Sequence, residues 1–271
     1  RGFYGFLAAD KINAPYALAD KPVNSSPEEL AEIQQQPAFA ACRELRVLNR
    51  EAEIRRQWQF AISQLPKEKL PTAAKLAQSW QWDQLAITTL VKGGYWDDLG
   101  IRFPVRYAED VQKAAHQFGL NPAVVLGLIR QESMLDPKAK SAVGAMGLMQ
   151  LMPLTARMLA PKLNLPQFKE ADLLQPKTNI TFGAYYLNDL IARLGQRLPL
   201  AIAAYNAGPG KVKTWLPSGE SVPADIWIDT IPYKETRKYV ANVLAYAIIY
   251  QDRLKSGTLK LQDWLVPIAP E

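Results

Sequence analysis

Apolar positions recur along this chain at intervals of three and four almost throughout, the spacing of helices that bury one face. Ser26-Pro27-Glu28-Glu29 predicts a helix start, with a serine cap, proline at the first helical position and a capping-box glutamate, and Pro37 stops that helix. Helices over 38–48, 50–64, 71–80 and 82–92 follow, separated by Pro66, Pro71 and Gly93-Gly94. Trp58, Trp80 and Trp82 fall at their seams and read as core. Beyond Phe103-Pro104, helices are predicted over 107–118, over 122–133 behind Asn121-Pro122, after Met152-Pro153 where Thr155 holds the start, and over 178–194. A last long helix opens near Glu235 and runs to about 254. No alternation of period two is long enough for a central sheet. Small β excursions fit only at 141–150 or 217–230, where Pro, Gly and Ser concentrate. The expected fold is all-α in two parts, a helical packing module over 1–103 and a second module over 104–271.

Composition removes several kinds of chemistry. One cysteine, Cys42, excludes an intramolecular disulfide framework and any multi-cysteine metal site, and one histidine, His116, excludes two-histidine metal sites. No metal or organic cofactor is expected. Net charge is +6, unevenly spread: residues 1–103 hold 13 Lys/Arg against 12 Asp/Glu, and residues 104–271 hold 19 against 14. The second part therefore has the stronger attraction for an anionic polymer. It has no dense Lys/Arg run and no interleaved basic and aromatic strip, so nucleic acid is not the expected partner. No stretch reaches the ~20 apolar residues of a transmembrane helix. The opening Arg-Gly-Phe-Tyr-Gly, without a starting methionine, reads as a piece of something longer.

The candidate chemistry centres on Glu132. The body of helix 122–133, Ala-Val-Val-Leu-Gly-Leu-Ile, is apolar on nearly every face and should be buried. It ends in Arg130-Gln131-Glu132-Ser133, which puts a carboxyl in the last turn of a core helix, one turn from Leu128 and Ile129. There it loses solvation and gains nothing from the helix dipole, and both effects raise its pKa, as a general acid working near neutrality requires. From Pro137 to Lys169 the chain carries no Asp or Glu, so no second acid is supplied locally. Within this stretch Ser141-Ala-Val-Gly144-Ala-Met-Gly147 is a small-residue loop that lets backbone approach a ligand. Met146, Met149 and Met152 read individually as core filler. Further on, Ala203-Ala-Tyr205-Asn206-Ala-Gly208-Pro209-Gly210 ends a helix in a stacking face and an amide, groups suited to a neutral ligand bearing hydroxyls and acetamides. Glu235 and Tyr239 share a helix face four residues apart.

Gln131-Glu132-Ser133, Gly147-Leu148-Met149-Gln150, Ala204-Tyr205-Asn206-Ala207-Gly208 and Glu235-Thr-Arg-Lys-Tyr239-Val, in this order and spacing, resemble the soluble lytic transglycosylases of Gram-negative bacteria, whose catalytic domain is related to goose-type lysozyme. The resemblance covers roughly residues 104–255, and the opening Phe-Tyr-Gly-Phe-Leu-Ala-Ala extends it to most of the chain. It implies a periplasmic enzyme that cleaves the glycan strands of peptidoglycan, in which residues 1–103 are the end of a superhelical region followed by a linker domain. It makes Glu132 a single acid and then base, with a 1,6-anhydromuramyl product. It places Ser141 in the loop facing the acetamide or peptide-bearing sugar, Met149 and Gln150 along the glycan groove, and Tyr205 close to the acid with Asn206 beside it. Glu235 becomes a sugar-binding or loop-fixing residue, and Tyr239 is either a substrate-binding residue or packing behind the site. Proteins of wall synthesis or remodelling are the further partners it suggests. Two other functions remain open at this level. A hydrolytic muramidase would need Asp225, Asp229 or Glu235 to activate water, and a glycan-binding scaffold would keep the groove without turnover.

Overall fold

The computed structural model describes residues 1–257 and 259–270. Among them the chain is helical, without a strand longer than isolated bridges, and forms two compact units.

One unit is residues 19–104. It contains α2 (Pro27–Gln35), α3 (Pro37–Val47), α4 (Glu51–Ser63), α5 (Leu70–Ser79), α6 (Asp83–Lys92) and the short α7 (Leu99–Arg102). The capping box is present: Ser26 Oγ accepts from the Glu29 N–H and the Glu29 carboxylate accepts from the Ser26 N–H. Pro37 both stops α2 and occupies the first position of α3, so the two helices adjoin. The core is built on Ile33, Phe39, Cys42 and Trp58, all shut off from solvent. Trp58 meets Trp80 and Trp82 edge to face, and its indole N–H donates to Thr89 Oγ1 at 2.8 Å. Burial pushes the Cys42 thiol up to about 11, which leaves it unreactive.

The other unit joins residues 1–18 to residues 105–271. It holds α1 (Phe3–Lys11), α8 (Ala108–Gln117), α9 (Pro122–Glu132), α10 (Pro153–Leu159), α11 (Pro176–Arg193), α12 (Leu198–Ala207), α13 (Pro209–Lys213), α14 (Ala224–Thr230) and α15 (Lys234–Leu254). α1 thus groups with the second part and not with residues 19–104. Phe3 and Phe6 are buried, and Asp10 accepts from the Tyr16 hydroxyl and from the backbone N–H of Gln262. Tyr4 donates to Asp229 at 2.6 Å. Bridges pair Lys140 with Met146, Met146 with Leu151 and Val222 with Ile268, and these are the extent of β structure near the two windows expected for it. Thr155 lies inside α10, which is opened by Pro153, and Met152 is exposed rather than core filler.

The long helices α9 and α15 cross in the centre of this unit. Residues Ala123 to Arg130 of α9 are buried, against an α15 face that includes Val240, Val243, Leu244 and Ala247. Gly127 sits where the backbones meet: a Cβ there would lie 2.9 Å from the Val243 carbonyl oxygen and 3.0 Å from the Ala247 nitrogen. Two backbones cannot yield as a flexible side chain can. Gly127→Ala is therefore expected to lower stability by about 1–3 kcal/mol in urea unfolding followed by circular dichroism. An unchanged or higher midpoint would contradict this packing.

Candidate active site

The end of α9 delivers Glu132. Asn121 caps the helix by accepting from the Ala123 N–H at 2.8 Å, and Pro122 fills its first position. At the other end Ser133 closes it, its hydroxyl within hydrogen-bonding distance of the Ile129 and Leu148 carbonyls at 3.2 and 2.8 Å. Met134 and Leu135 then take left-handed conformations, at φ 51° and 67°, and turn the chain away. That turn is the structural role of these two hydrophobic positions.

Glu132 is half-buried at this helix end. The Tyr239 hydroxyl of α15 donates to its Oε1 in a short hydrogen bond. Burial is the dominant influence and pushes the carboxyl up to about 7; the Tyr239 hydrogen bond opposes it and the charge of Glu235 adds to it. Tyr239 itself is 4% exposed, and burial together with the Glu132 charge holds its phenol well above the usual range, so it stays a neutral donor. Its place in the site is thus to hold the acid. Next to this pair, Asn242 Nδ2 donates to Gln131 Oε1 at 3.1 Å, a second tie between α15 and the end of α9.

The Gly147-Leu-Met-Gln150 block forms the wall beside the acid, and a buried asparagine sets it. Asn179 of α11, fully buried, accepts from the Met149 N–H at 2.7 Å and donates to the Met146 and Leu173 carbonyls, both at 2.9 Å. Gly147 is required here: its φ is 78°, and a Cβ would come within 2.2 Å of the Leu173 carbonyl oxygen. Met149 is not a groove residue. Its side chain is fully buried, packed where a Cβ on Gly183 of α11 would clash with it. The motif identified the block but could not tell which of its side chains face in. Gln150 remains partly exposed, with Nε2 donating to the Gly147 and Ala139 carbonyls. Ser141 fixes its own loop, since its hydroxyl accepts from the Ala145 N–H at 2.9 Å.

Tyr205 and Asn206 come in from the end of α12, which breaks at Gly208 with φ 87°. The Tyr205 hydroxyl donates to the Met149 carbonyl at 2.9 Å, so it braces the wall rather than the acid. It is still close enough for the Glu132 charge to reinforce the effect of burial in raising its pKa. Asn206 Oδ1 accepts from the Thr236 hydroxyl at 2.7 Å, which ties the end of α12 to the first turn of α15. Glu235 is exposed in that same turn, where a negative charge suits the helix dipole. Asp225 and Asp229 go elsewhere: Asp225 pairs with Lys11 at 3.5 Å and Asp229 accepts from Tyr4, both on α1. Of the three acids suggested for activating water, Glu235 alone influences Glu132. Sequence reasoning missed Asn179 and Thr236. Asn179 left one signal, a polar residue on the buried face of an otherwise apolar helical repeat.

Two measurements check these electrostatics. An acid whose folded pKa is raised stabilises the fold fully only below its unfolded value, near 4.5, and loses that advantage as pH climbs through about 7. Glu132→Gln should therefore melt above the parent at pH 8 and with it at pH 4. Equal melting temperatures at both pH values would show an ordinary exposed carboxylate. Tyr239→Phe removes the donor that favours the ionised form, so the alkaline fall of kcat/KM on the protein's substrate should move to higher pH. Movement to lower pH would reverse the role given to Tyr239.

Comparison with known proteins agrees with this arrangement. The profile described as "Transglycosylase SLT domain" matches residues 109–228, "Soluble lytic murein transglycosylase L domain" matches 32–99, and "Soluble lytic transglycosylase helical domain" matches 230–258, which here is essentially α15. The soluble lytic murein transglycosylase of Salmonella typhimurium is 35% identical over 269 residues, covering 97% of this chain and 41% of the relative. Among solved structures, an inactive glutamate-to-glutamine mutant of lytic transglycosylase Slt from Pseudomonas aeruginosa superposes with a TM-score of 0.94 at 37% identity, over 100% of this chain and 44% of that one. The 70-kDa soluble lytic transglycosylase from Escherichia coli gives a TM-score of 0.84 at 34% identity, over 97% and 42%. The chain spans about two fifths of the length of these relatives. With its four motif blocks in order and folded around one half-buried glutamate, this chain belongs to the soluble lytic transglycosylase family.

Proposed function

We propose that this chain cleaves the glycan strands of peptidoglycan without water, using Glu132 as the only acid and base. The observation that carries the reading is a carboxyl raised to about 7 whose acidic neighbour, Glu235, is exposed in the first turn of α15, while Asp225 and Asp229 are engaged by α1. In this reading residues 105–271 with α1 are the catalytic unit, residues 19–104 are the linker module, and the protein works in the periplasm. An inactive glutamate-to-glutamine mutant is known of the P. aeruginosa relative, so one glutamate is essential in that protein.

Protonated Glu132 donates to the glycosidic oxygen between N-acetylmuramic acid and N-acetylglucosamine, and that C1–O bond breaks. The substrate's own acetamide stabilises the positive charge developing at C1, as in substrate-assisted glycosidases. Glu132, now ionised and held by Tyr239, takes the proton of the muramyl C6 hydroxyl as its oxygen closes on C1. The proton lost in the first step is regained in the second, so the carboxyl is restored and no water is consumed. Ring closure within one sugar competes well because the attacking oxygen is already in place. Glu235 contributes charge that keeps Glu132 protonated and a rim position for the glycan, and Gln150 and Asn206 line the approach.

Mass spectrometry of fragments released from purified peptidoglycan tests the reading. Muropeptides lacking one water at the muramyl end are expected, with release lowered at least about 10²-fold by Glu132→Gln. Reducing ends on the products would instead mean a hydrolytic muramidase, and Glu235 would then be the acid to examine.

A further inference from the structure

The face of α11 that builds the wall beside the acid continues past it. Asn179 anchors the Met149 N–H, Gly183 receives the Met149 side chain, and Tyr186 comes next on the same face, spaced four and three residues along. The Tyr186 ring lies against Tyr205, with centroids 5.3 Å apart and planes at 52°. Its neighbour Tyr185 turns instead toward Phe118, 5.5 Å away. Tyr205 spends its hydroxyl on the Met149 carbonyl, whereas among the described residues no group hydrogen-bonds the Tyr186 hydroxyl. Tyr186 is half-buried, so its ring is fixed by packing while part of it meets solvent. A phenol held this way, with donor and acceptor both unused, suits a hydroxyl or an acetamide of a neutral sugar.

Tyr205 feels both the Glu132 charge and Tyr186, whereas the charges that act on Tyr186 are Asp189 and Arg193, one and two turns further along α11. Tyr205 links the two, lying ring to ring with Tyr186 and near enough to Glu132 to feel its charge.

We propose that Tyr186 is a specificity-determining contact for the glycan, its hydroxyl binding a sugar beyond the ring on which Glu132 acts. The proposal rests on the peptidoglycan reading for its substrate class, and its test is separable from that reading. Tyr186→Phe keeps the ring against Tyr205 and removes only the hydroxyl. In the Glu132→Gln background, binding of N-acetylglucosamine oligomers by titration calorimetry is expected to weaken about three- to ten-fold for the hexamer on Tyr186→Phe, the worth of one neutral hydrogen bond, and to change little for the dimer. With active protein on purified peptidoglycan, KM should rise by the same factor at nearly constant kcat, with an unchanged melting temperature. Equal hexamer affinities with and without the hydroxyl would overturn the proposal, as would a loss confined to kcat or accompanied by a lower melting temperature, which marks a packing residue. If the parent protein releases no fragments but the hexamer effect persists, the contact stands and the transglycosylase reading falls.

Discussion

The crossing of α9 and α15 at Gly127 is the constraint on which the site depends. Because no side chain stands between the backbones there, α15 can run directly along α9, and the two helices reach the end of α9 in register. That register brings Tyr239 to Glu132 and Asn242 to Gln131. A wider crossing would separate the phenol from the carboxyl and admit water to both. The same apolar helix body that packs the core also strips solvation from the acid, so stability and the raised pKa share one cause.

Around this crossing the remaining elements act as braces. Asn179 ties α11 to the Gly147–Gln150 wall, Tyr205 ties α12 to the same wall, and Thr236 ties the end of α12 to the first turn of α15. Each brace is a buried or part-buried hydrogen bond between elements far apart in sequence, so each costs more to leave unmade than it contributes when formed. α1 is tied to α14 through Tyr4 on Asp229 and Lys11 on Asp225.

Much of this was legible in the sequence because it is locally encoded. Proline and cap residues mark the starts of α2, α9 and α10, and the observed helices fall close to the expected ranges. Glu132 could be singled out because an apolar helix ending in a carboxyl is a local anomaly. What the sequence withheld is set by distant contacts. Nothing near Phe3 or Tyr4 indicates that α1 belongs with residues more than two hundred positions later. Met149 was placed on the groove by its motif, yet Gly183 accommodates it in the core, because a motif records identity and not depth. Tyr205 feels the charge of Glu132, yet its hydroxyl meets the Met149 carbonyl, a partner that no pattern reveals.

The central claim is that Glu132 is protonated near neutrality because α9 and α15 enclose it. Direct titration of its carboxyl carbon by NMR, assigned by comparison with Glu132→Gln, measures this without substrate. A midpoint near 7 is the predicted result. A midpoint near 4.5, the ordinary value for a glutamate, would mean that the carboxyl is ionised at neutral pH and cannot be the acid that opens the reaction.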